Sequence, residues 1–386
     1  MERATVENIL CILIANEKSA IPNLYVDTIS AFSTHSHMVV IYPHVYKRKE
    51  LPVDLLYAEP EKILADREQR NKMEQLKRYR DYAEHLVQLV EQYDVKHIYF
   101  EVGLPVFQLI LMSKLSGVSY TMRIHDPVLH EGESFRSHLS RWLEKMFVFP
   151  RIHNFITSYQ ESLVEMKENG GLSDLVPRTH VLYLPQMRCM EFSDIRATPY
   201  PIKWDFIFFG RIELYKGLDV LLDVMREQEM RKVRLLIIGR GSEAKLVASQ
   251  ALDLPNVTYI QSYVPDRELA MYIMQSRFVV LPYRSATGSQ TVAIANYYQR
   301  MVLATSVGCF SEYIVDGRNG ILMPKLDKFI LKQAMLKMMS LKEEKYREGV
   351  VAEYKKFNIF KLAAKLEQVI REGYTVQADK ADWYQN

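Results

Sequence analysis

Short apolar runs alternate with longer amphipathic stretches along most of the chain, the pattern of parallel strands joined by crossover helices. In the first half, residues 8–15, 38–42, 97–101, 119–124 and 154–157 predict buried strands, and 181–184 a last strand before Pro185. Residues 61–93 predict one long charged helix or two, the charge forming a solvated face, and 105–115 and 137–149 predict shorter helices. Residues 192–204 carry Pro199 and Pro201 with few large aliphatics, which predicts a linker. The alternation then restarts. Strands are expected at 205–209, 234–238, 257–260, 278–281, 302–305 and 320–323, with helices at 217–228, 243–252, 267–275 and 290–298. Two such halves in tandem predict an α/β protein of two doubly wound, Rossmann-like domains facing each other across a cleft. The expected division is 1–198 for the first domain, 199–370 for the second, and a tail, 371–386, packing back onto the first.

Composition narrows the function classes. At 386 residues, 48% hydrophobic and 25% charged, the chain is ordinary for a globular protein of two domains. A net charge of +3 gives no case for nucleic acid as a partner. Cys11, Cys189 and Cys309 lie far apart in apolar settings, so neither a disulfide framework nor a metal spacing is expected. The N-terminal apolar run is short, follows Glu2 and Glu7, and lacks a signal-peptide cleavage site. No apolar stretch approaches the roughly 20 residues that span a bilayer. The expected location is cytoplasmic, with any membrane contact peripheral, on the inner membrane face.

The candidate chemistry starts at the first strand of the second half. Its apolar run ends at Gly210, and Arg211 and Lys216 follow. Ligands of open α/β sheets bind beyond the carboxyl ends of the strands, and two cations there suit a phosphorylated ligand. The plain alternative is a surface Arg and Lys after any strand. In the first half, His125 closes a strand, where it can hydrogen-bond a ligand, shuttle a proton, or merely cap the strand. The stretch from His125 through His130 to Glu133 holds two His and three acids, readable as a cation site or as a solvated or ligand-binding loop; no metal site is expected. Residues 136–153 mix Arg136, Arg141, Lys145 and Arg151 with Trp142, Phe147 and Phe149. Such a helix can lie on an anionic membrane surface, or simply snorkel its cations. Lys47-Arg48-Lys49 and Lys77-Arg78-Tyr79-Arg80 add positive charge to the same half.

Taken in order, these pieces resemble glycosyltransferase family 4 of the GT-B fold. Phe209-Gly210-Arg211 with Lys216-Gly217 is similar to its phosphate-binding Gly-Arg…Lys-Gly element. Ile237-Ile238-Gly239-Arg240-Gly241-Ser242-Glu243 is similar to its strand-to-glycine turn, and Leu281-Pro282-Tyr283 stands where the family has Pro and a small residue. Residues 302–308 and 312–320 resemble its closing segment. Arg123-Ile124-His125-Asp126-Pro127 resembles its strand-end His, and 153–158 a later strand before a Ser-capped helix. The family's glycine-rich loop after the first strand is missing; Asn16-Glu17-Lys18-Ser19 stands there instead. Many family members also carry two glutamates eight positions apart, near the donor sugar and the ribose. Thr287 and Ala295 occupy those positions, within Ser285-Ala286-Thr287-Gly288-Ser289-Gln290-Thr291.

The resemblance implies a retaining glycosyltransferase moving a hexose from a nucleotide-diphosphate sugar to a hydroxyl on a saccharide or lipid-linked acceptor, in bacterial polysaccharide or glycoconjugate synthesis. It implies no cofactor beyond that co-substrate. The chain has no Asp-x-Asp, which fits a metal-independent mechanism. His125, Arg211 and Lys216 are then the catalytic candidates. Gly210, Arg211, Lys216, Gly239, Glu243, Tyr263, Val264, Thr287, Ser289, Gln290 and Thr291 are expected at the donor, and Asn16, Asp126 and His130 at the acceptor. A helix starting at Gln290, capped by Ser289 or Thr287, would offer free N–H groups to the diphosphate. A non-catalytic sugar- or partner-binding subunit of the same fold, and a sugar-nucleotide epimerase, remain alternatives.

Overall fold

A computed structural model describes residues 8–12, 25, 28–29, 31, 38–41, 55–57, 72–128, 135–185, 190–286 and 288–372. The chain forms two compact units, Met1–Tyr183 with Ile359–Asn386, and Leu184–Asn358.

The first unit is built on β1 (Asn8–Ile12), β2 (Met38–Ile41), β3 (Leu55–Tyr57), β4 (Val95–Phe100), β5 (Ser119–Arg123), β6 (Asn154–Thr157) and β7 (Thr179–Val181). They form one seven-stranded sheet in the order β3-β2-β1-β4-β5-β6-β7, with every observed pairing parallel. The strand order reverses between β1 and β4, where an open α/β sheet leaves a crevice at its carboxyl edge. The helix Lys72–Gln92 buries Tyr79, Tyr82, Ala83, Leu86 and Val90, a stripe at helical spacing, and leaves its charges in solvent. That stripe packs with Leu10, Ile12, Ile98, Phe100, Phe107 and Leu111 in one core. The helix Ile359–Glu372 buries Leu362, Ala363, Leu366, Val369 and Ile370 and packs on β4 and β5.

The second unit is built on β8 (Trp204–Phe209), β9 (Leu235–Ile238), β10 (Val257–Ile260), β11 (Ser276–Leu281), β12 (Met301–Thr305) and β13 (Gly320–Met323). Its sheet runs β10-β9-β8-β11-β12-β13, again with all pairings parallel. Phe206, Ile207, Phe208 and Phe209 are all buried, as expected of a strand covered on both faces. Phe206 pairs with Phe278 and Ile207 with Val279, so the order reverses between β8 and β11. The loops leaving those two strands begin at Gly210 and Pro282.

The structure departs from the sequence expectation at the domain division, at the linker, and in several elements not foreseen, among them β3 and the helix Ile359–Glu372. The division falls after Tyr183, and the chain returns to the first unit at Ile359. The expected linker is part of the second unit. Its helix Ser193–Ala197 buries Ile195 and packs on the helix Asp266–Met274, with Asp194 paired to Arg267 and the Arg196 guanidinium 4.9 Å over the Tyr297 ring. Two prolines loosened the apolar pattern there without removing the anchors. Helices at Lys328–Met339 and Arg347–Tyr354 were not foreseen; the first is capped by Asp327, whose side chain accepts from Phe329 and Ile330 N–H, worth about 1 kcal/mol.

Candidate functional site

In the second unit, three loops beyond the strand ends are laced together by main-chain bonds. Gly210 N–H donates to Ile238 O (3.0 Å), Ile212 N–H to Arg240 O (2.8 Å), and Glu243 N–H to Ile212 O (3.1 Å). Arg284 N–H donates to Tyr215 O (2.7 Å), and the Arg284 guanidinium grips Asp219 at 2.7 and 2.8 Å. Two glycines make this approach possible. A Cβ on Gly239 would lie 1.8 Å from Gly210 O, and one on Gly217, at φ +67°, would lie 1.9 Å from Pro282 O. The loops are thus fixed backbone against backbone, and Arg211 and Lys216 leave a rigid frame.

The two cations differ in setting. Arg211 is exposed, and the described residues show no hydrogen bond or ion pair to it. Lys216 is half-buried. Its Nζ lies 3.7 Å from the centre of the Tyr283 ring and 4.7 Å from that of Tyr215, and no carboxylate among the described residues lies within ion-pair distance. Burial, then the nearby Arg211, pull its pKa down to about 7. Aromatic faces partly replace water around the ammonium, by about 2 kcal/mol when desolvated, but they do not neutralise it.

Tyr283 is the residue of this loop system that sequence reasoning missed. Its ring is fully buried between Tyr215, Phe208 and Phe310, and it forms the floor under Lys216. Its hydroxyl bonds Thr291, and burial pushes its pKa up, so it stays neutral. The available signal was an aromatic at a position where the resembling family has a small residue. Cys309 lies close enough to Lys216 to feel its charge; its sulfur receives Ser289 N–H, and burial pushes the thiol up.

The Ser289–Thr291 segment adjoins this group. Ser289 Oγ accepts Thr291 N–H at 3.4 Å, while Gln290 holds the N-cap position of the helix Thr291–Tyr297 without a side-chain cap. Both polar atoms of the Gln290 carboxamide are buried with no hydrogen-bond partner among the described residues. Ala295 is fully buried in that helix. Thus Gly210, Arg211, Lys216, Gly239 and Glu243 share one loop system, and Ser289 and Thr291 join it through Cys309 and Tyr283. Val264 is buried, and Tyr263 is 76% exposed with its hydroxyl donating to Asp266. Thr287 lies outside the described residues, as do Asn16 and His130.

The first unit holds a second constellation at the carboxyl edge of its sheet. Glu101 follows β4 and Arg123 ends β5, and both are buried, at 4% exposure. Arg123 Nε lies 3.2 Å from Glu101 Oε1 and donates to Tyr99 OH at 3.1 Å, while Tyr99 OH donates to Glu101 Oε2. His125 Nε2 faces the same glutamate twice, 3.0 Å from its carbonyl oxygen and 3.1 Å from Oε1. Burial alone would raise the Glu101 pKa, but Arg123 and then His125 outweigh it and hold the carboxyl below its usual range. Arg141 Nη2 donates to Asp126 O at 2.8 Å, which fixes the turn after His125. Glu101, Arg123 and Tyr99 were not singled out in the sequence, where Glu101 read only as the end of an apolar strand. Among the described residues no group of three His, Cys, Asp or Glu is placed to hold a metal ion.

Comparisons with known proteins agree with this layout. Residues 203–340 match the family model described as glycosyl transferases group 1. The chain is 26% identical over 234 residues to a GDP-mannose:glycolipid 4-beta-D-mannosyltransferase of Xanthomonas campestris pv. campestris, covering 56% of this chain and 62% of that protein. The chain therefore spans less than two thirds of that relative's length. It is 29% identical over 135 residues to the D-rhamnosyltransferase WbpZ of Pseudomonas aeruginosa, covering 34% of each. Among solved structures, sucrose-phosphate synthase from Thermosynechococcus elongatus superposes with a TM-score of 0.73 at 14% identity, over 95% of this chain and 99% of that one. Anabaena HepE in complex with UDP-glucose superposes with a TM-score of 0.66 at 16% identity, over 95% and 99%.

Proposed function

We propose that this chain, which has the GT-B fold and a glycosyl transferases group 1 segment at residues 203–340, transfers a hexose from a nucleoside-diphosphate sugar to an acceptor hydroxyl. The observation that carries this reading is the pair Arg211 and Lys216, two cations without a carboxylate partner among the described residues, on a rigid frame where the second sheet reverses its order. In the reaction the bond between the anomeric carbon and the diphosphate oxygen breaks, and its electron pair stays on the diphosphate. Preorganised cations aimed at that charge lower the barrier. The unpaired Gln290 carboxamide offers a further donor and acceptor to the ligand. With two cations in place, the mechanism needs no divalent metal.

The glycolipid mannosyltransferase and the rhamnosyltransferase among the relatives support a saccharide or lipid-linked acceptor in bacterial polysaccharide or glycoconjugate synthesis. Retention of configuration is the outcome implied by the family 4 resemblance. The beta linkage in the mannosyltransferase's name makes the product anomer the point to measure. The test is to incubate the purified chain with GDP- and UDP-sugars, with and without a glycolipid acceptor and a chelator. Transfer, or slow hydrolysis of one donor, unaffected by chelator, is expected. Nucleotide binding with neither reaction would replace the enzyme by a binding subunit, and isomerisation of the donor would make it an epimerase.

A lipid-linked acceptor calls for contact with a membrane surface, and the first unit offers one. No described helix is long and apolar enough to cross a membrane. Leu139, Trp142, Met146 and Phe147, however, are 42–54% exposed around the end of the helix Phe135–Leu143, with Trp142 and Phe147 edge to face at 5.9 Å. Of the cations here, Lys145 and Arg141 turn inward, donating to Gly170 O and Asp126 O, while Arg151 stays exposed and donates to Phe147 O. Contact would therefore rest on apolar insertion more than on charge. Replacing Trp142 and Phe147 together by serine should reduce co-sedimentation with liposomes at least fivefold. Unchanged co-sedimentation would remove the docking role of this face.

A further inference from the structure

We infer that Glu101 is a positioning residue that fixes the tautomer of His125, so that His125 presents a hydrogen-bond acceptor, at Nδ1, to a hydroxyl of the sugar ligand. The inference deepens the transferase reading and rests on it for the identity of the ligand.

The acceptors around the ring decide which nitrogen carries the proton. His125 Nε2 lies 3.0 Å from Glu101 O and 3.1 Å from Glu101 Oε1. Both are acceptors, and neither can donate while the carboxyl is ionised. Nε2 must therefore carry the proton. In the neutral imidazole this leaves the lone pair on Nδ1, for which the described residues provide no partner. The His125 side chain is 22% exposed, so the ring is seated but not sealed.

The rest of the network keeps Glu101 in that role. Arg123 Nε at 3.2 Å and the Tyr99 hydroxyl both donate to its carboxylate, and Arg123 also reaches Ser158 Oγ and Leu182 O at 3.4 Å. Glu101 N–H donates to Ile12 O at 3.1 Å, which ties the residue to the end of β1 at the reversal of strand order. A carboxylate so enclosed stays ionised and cannot rotate away. The other charged groups around this turn are engaged elsewhere. Arg141 holds Asp126 O and lies 3.4 Å from Glu144, and Glu144 packs beside Gly103. The arrangement has the logic of a carboxylate behind a histidine, orienting the imidazole and choosing which nitrogen works. An acceptor at Nδ1 selects ligands with a hydroxyl at that point and disfavours those with a carbonyl or an ether oxygen there.

Selective 15N-histidine labelling tests this without any need for turnover, with the His125 signal assigned by its loss in His125→Gln. The expected result in the wild type at pH 8 is the Nε2–H tautomer. In Glu101→Gln the amide turns its oxygen to Arg123 and its NH₂ to the ring, so the population should shift toward Nδ1–H. With a nucleotide sugar and acceptor, Glu101→Gln should lower kcat at least tenfold while KM for the donor changes less than threefold. Tyr99→Phe, which keeps every charge, should lower kcat about threefold. An Nδ1–H tautomer in the wild type, or an unchanged tautomer with unchanged kcat in Glu101→Gln, overturns the inference. The wild-type tautomer decides the matter even if Glu101→Gln does not fold. Loss of transferase activity as a reading would show as no turnover in the wild type with the Nε2–H tautomer still present.

Discussion

Replacing Lys216 by methionine, or Arg211 by alanine, is expected to lower transferase turnover by at least tenfold, and by about 10²–10³ if the cation acts like other preorganised charge stabilisers. The expectation comes from the absence of alternatives. The two carboxylates that many members of the resembling family place near the sugar and the ribose are not at positions 287 and 295. Ala295 is buried in its helix, so no small adjustment returns a polar group there. Near the loops stand Arg211, Lys216, the Gln290 carboxamide and main-chain N–H groups, with Arg240 and Glu243 on the adjoining glycine turn. A hundredfold loss corresponds to about 2.7 kcal/mol of transition-state stabilisation. Methionine suits Lys216 because it keeps the chain's contact with the Tyr283 and Tyr215 rings while removing the charge. The loss should fall mainly on kcat, because charge builds on the diphosphate as the bond breaks. Variants with kinetics close to wild type would dismiss both residues as surface cations. A rise in KM alone would reduce their role to ground-state binding.

Much of this frame was legible in the sequence because parallel strands buried on both faces read as uninterrupted apolar runs. Phe206 to Phe209 and Leu235 to Ile238 could be placed to within a residue. Gly210, Gly217 and Gly239 were legible for another reason. All three lie in loops beyond strand ends: a side chain on Gly217 or Gly239 would collide with the neighbouring loop, and Gly210 holds φ +131°. The segment at 192–204 was misread because local composition does not reveal that Ile195 is buried or that Asp194 meets Arg267, a residue distant in sequence. The supports of the site were hidden for the same reason. Tyr283 under Lys216, and Glu101 with Arg123 behind His125, are partnerships between strand ends that adjoin only once the sheets are assembled. A sequence shows which residues can carry charge. It does not show which of them the fold leaves without a counter-ion, and that is what separates Arg211 and Lys216 from Arg284, which is neutralised by Asp219.

Binding of a nucleotide sugar should weaken as pH rises above about 7, by up to tenfold per unit, with uptake of a proton. In the unliganded fold Lys216 titrates near 7, against 10.5 for an ordinary lysine, chiefly because burial disfavours its charged form and secondly because Arg211 is near. The sign follows from linkage. Below about pH 7 the ammonium is charged in both folded and unfolded chains, and the fold bears the full cost of burying it. As pH rises from there toward 10.5 the folded chain releases the proton first, and that cost is relieved, so the unliganded unit gains stability. An anionic diphosphate reverses the preference by supplying the missing counter-charge. At pH 8 the ligand must therefore draw a proton onto a lysine that is mostly neutral, and the affinity falls by the fraction already deprotonated. A nucleotide sugar is the proper probe, since its diphosphate diester does not titrate in this range. Calorimetry with GDP-mannose and UDP-glucose at pH 8, in two buffers of different ionisation enthalpy, should show uptake approaching one proton by whichever ligand binds. Lys216→Met should bind more weakly at pH 6.5 and show no uptake at pH 8. Equal uptake in both proteins would assign the proton to another group, and no uptake in either would mean that the diphosphate is held elsewhere.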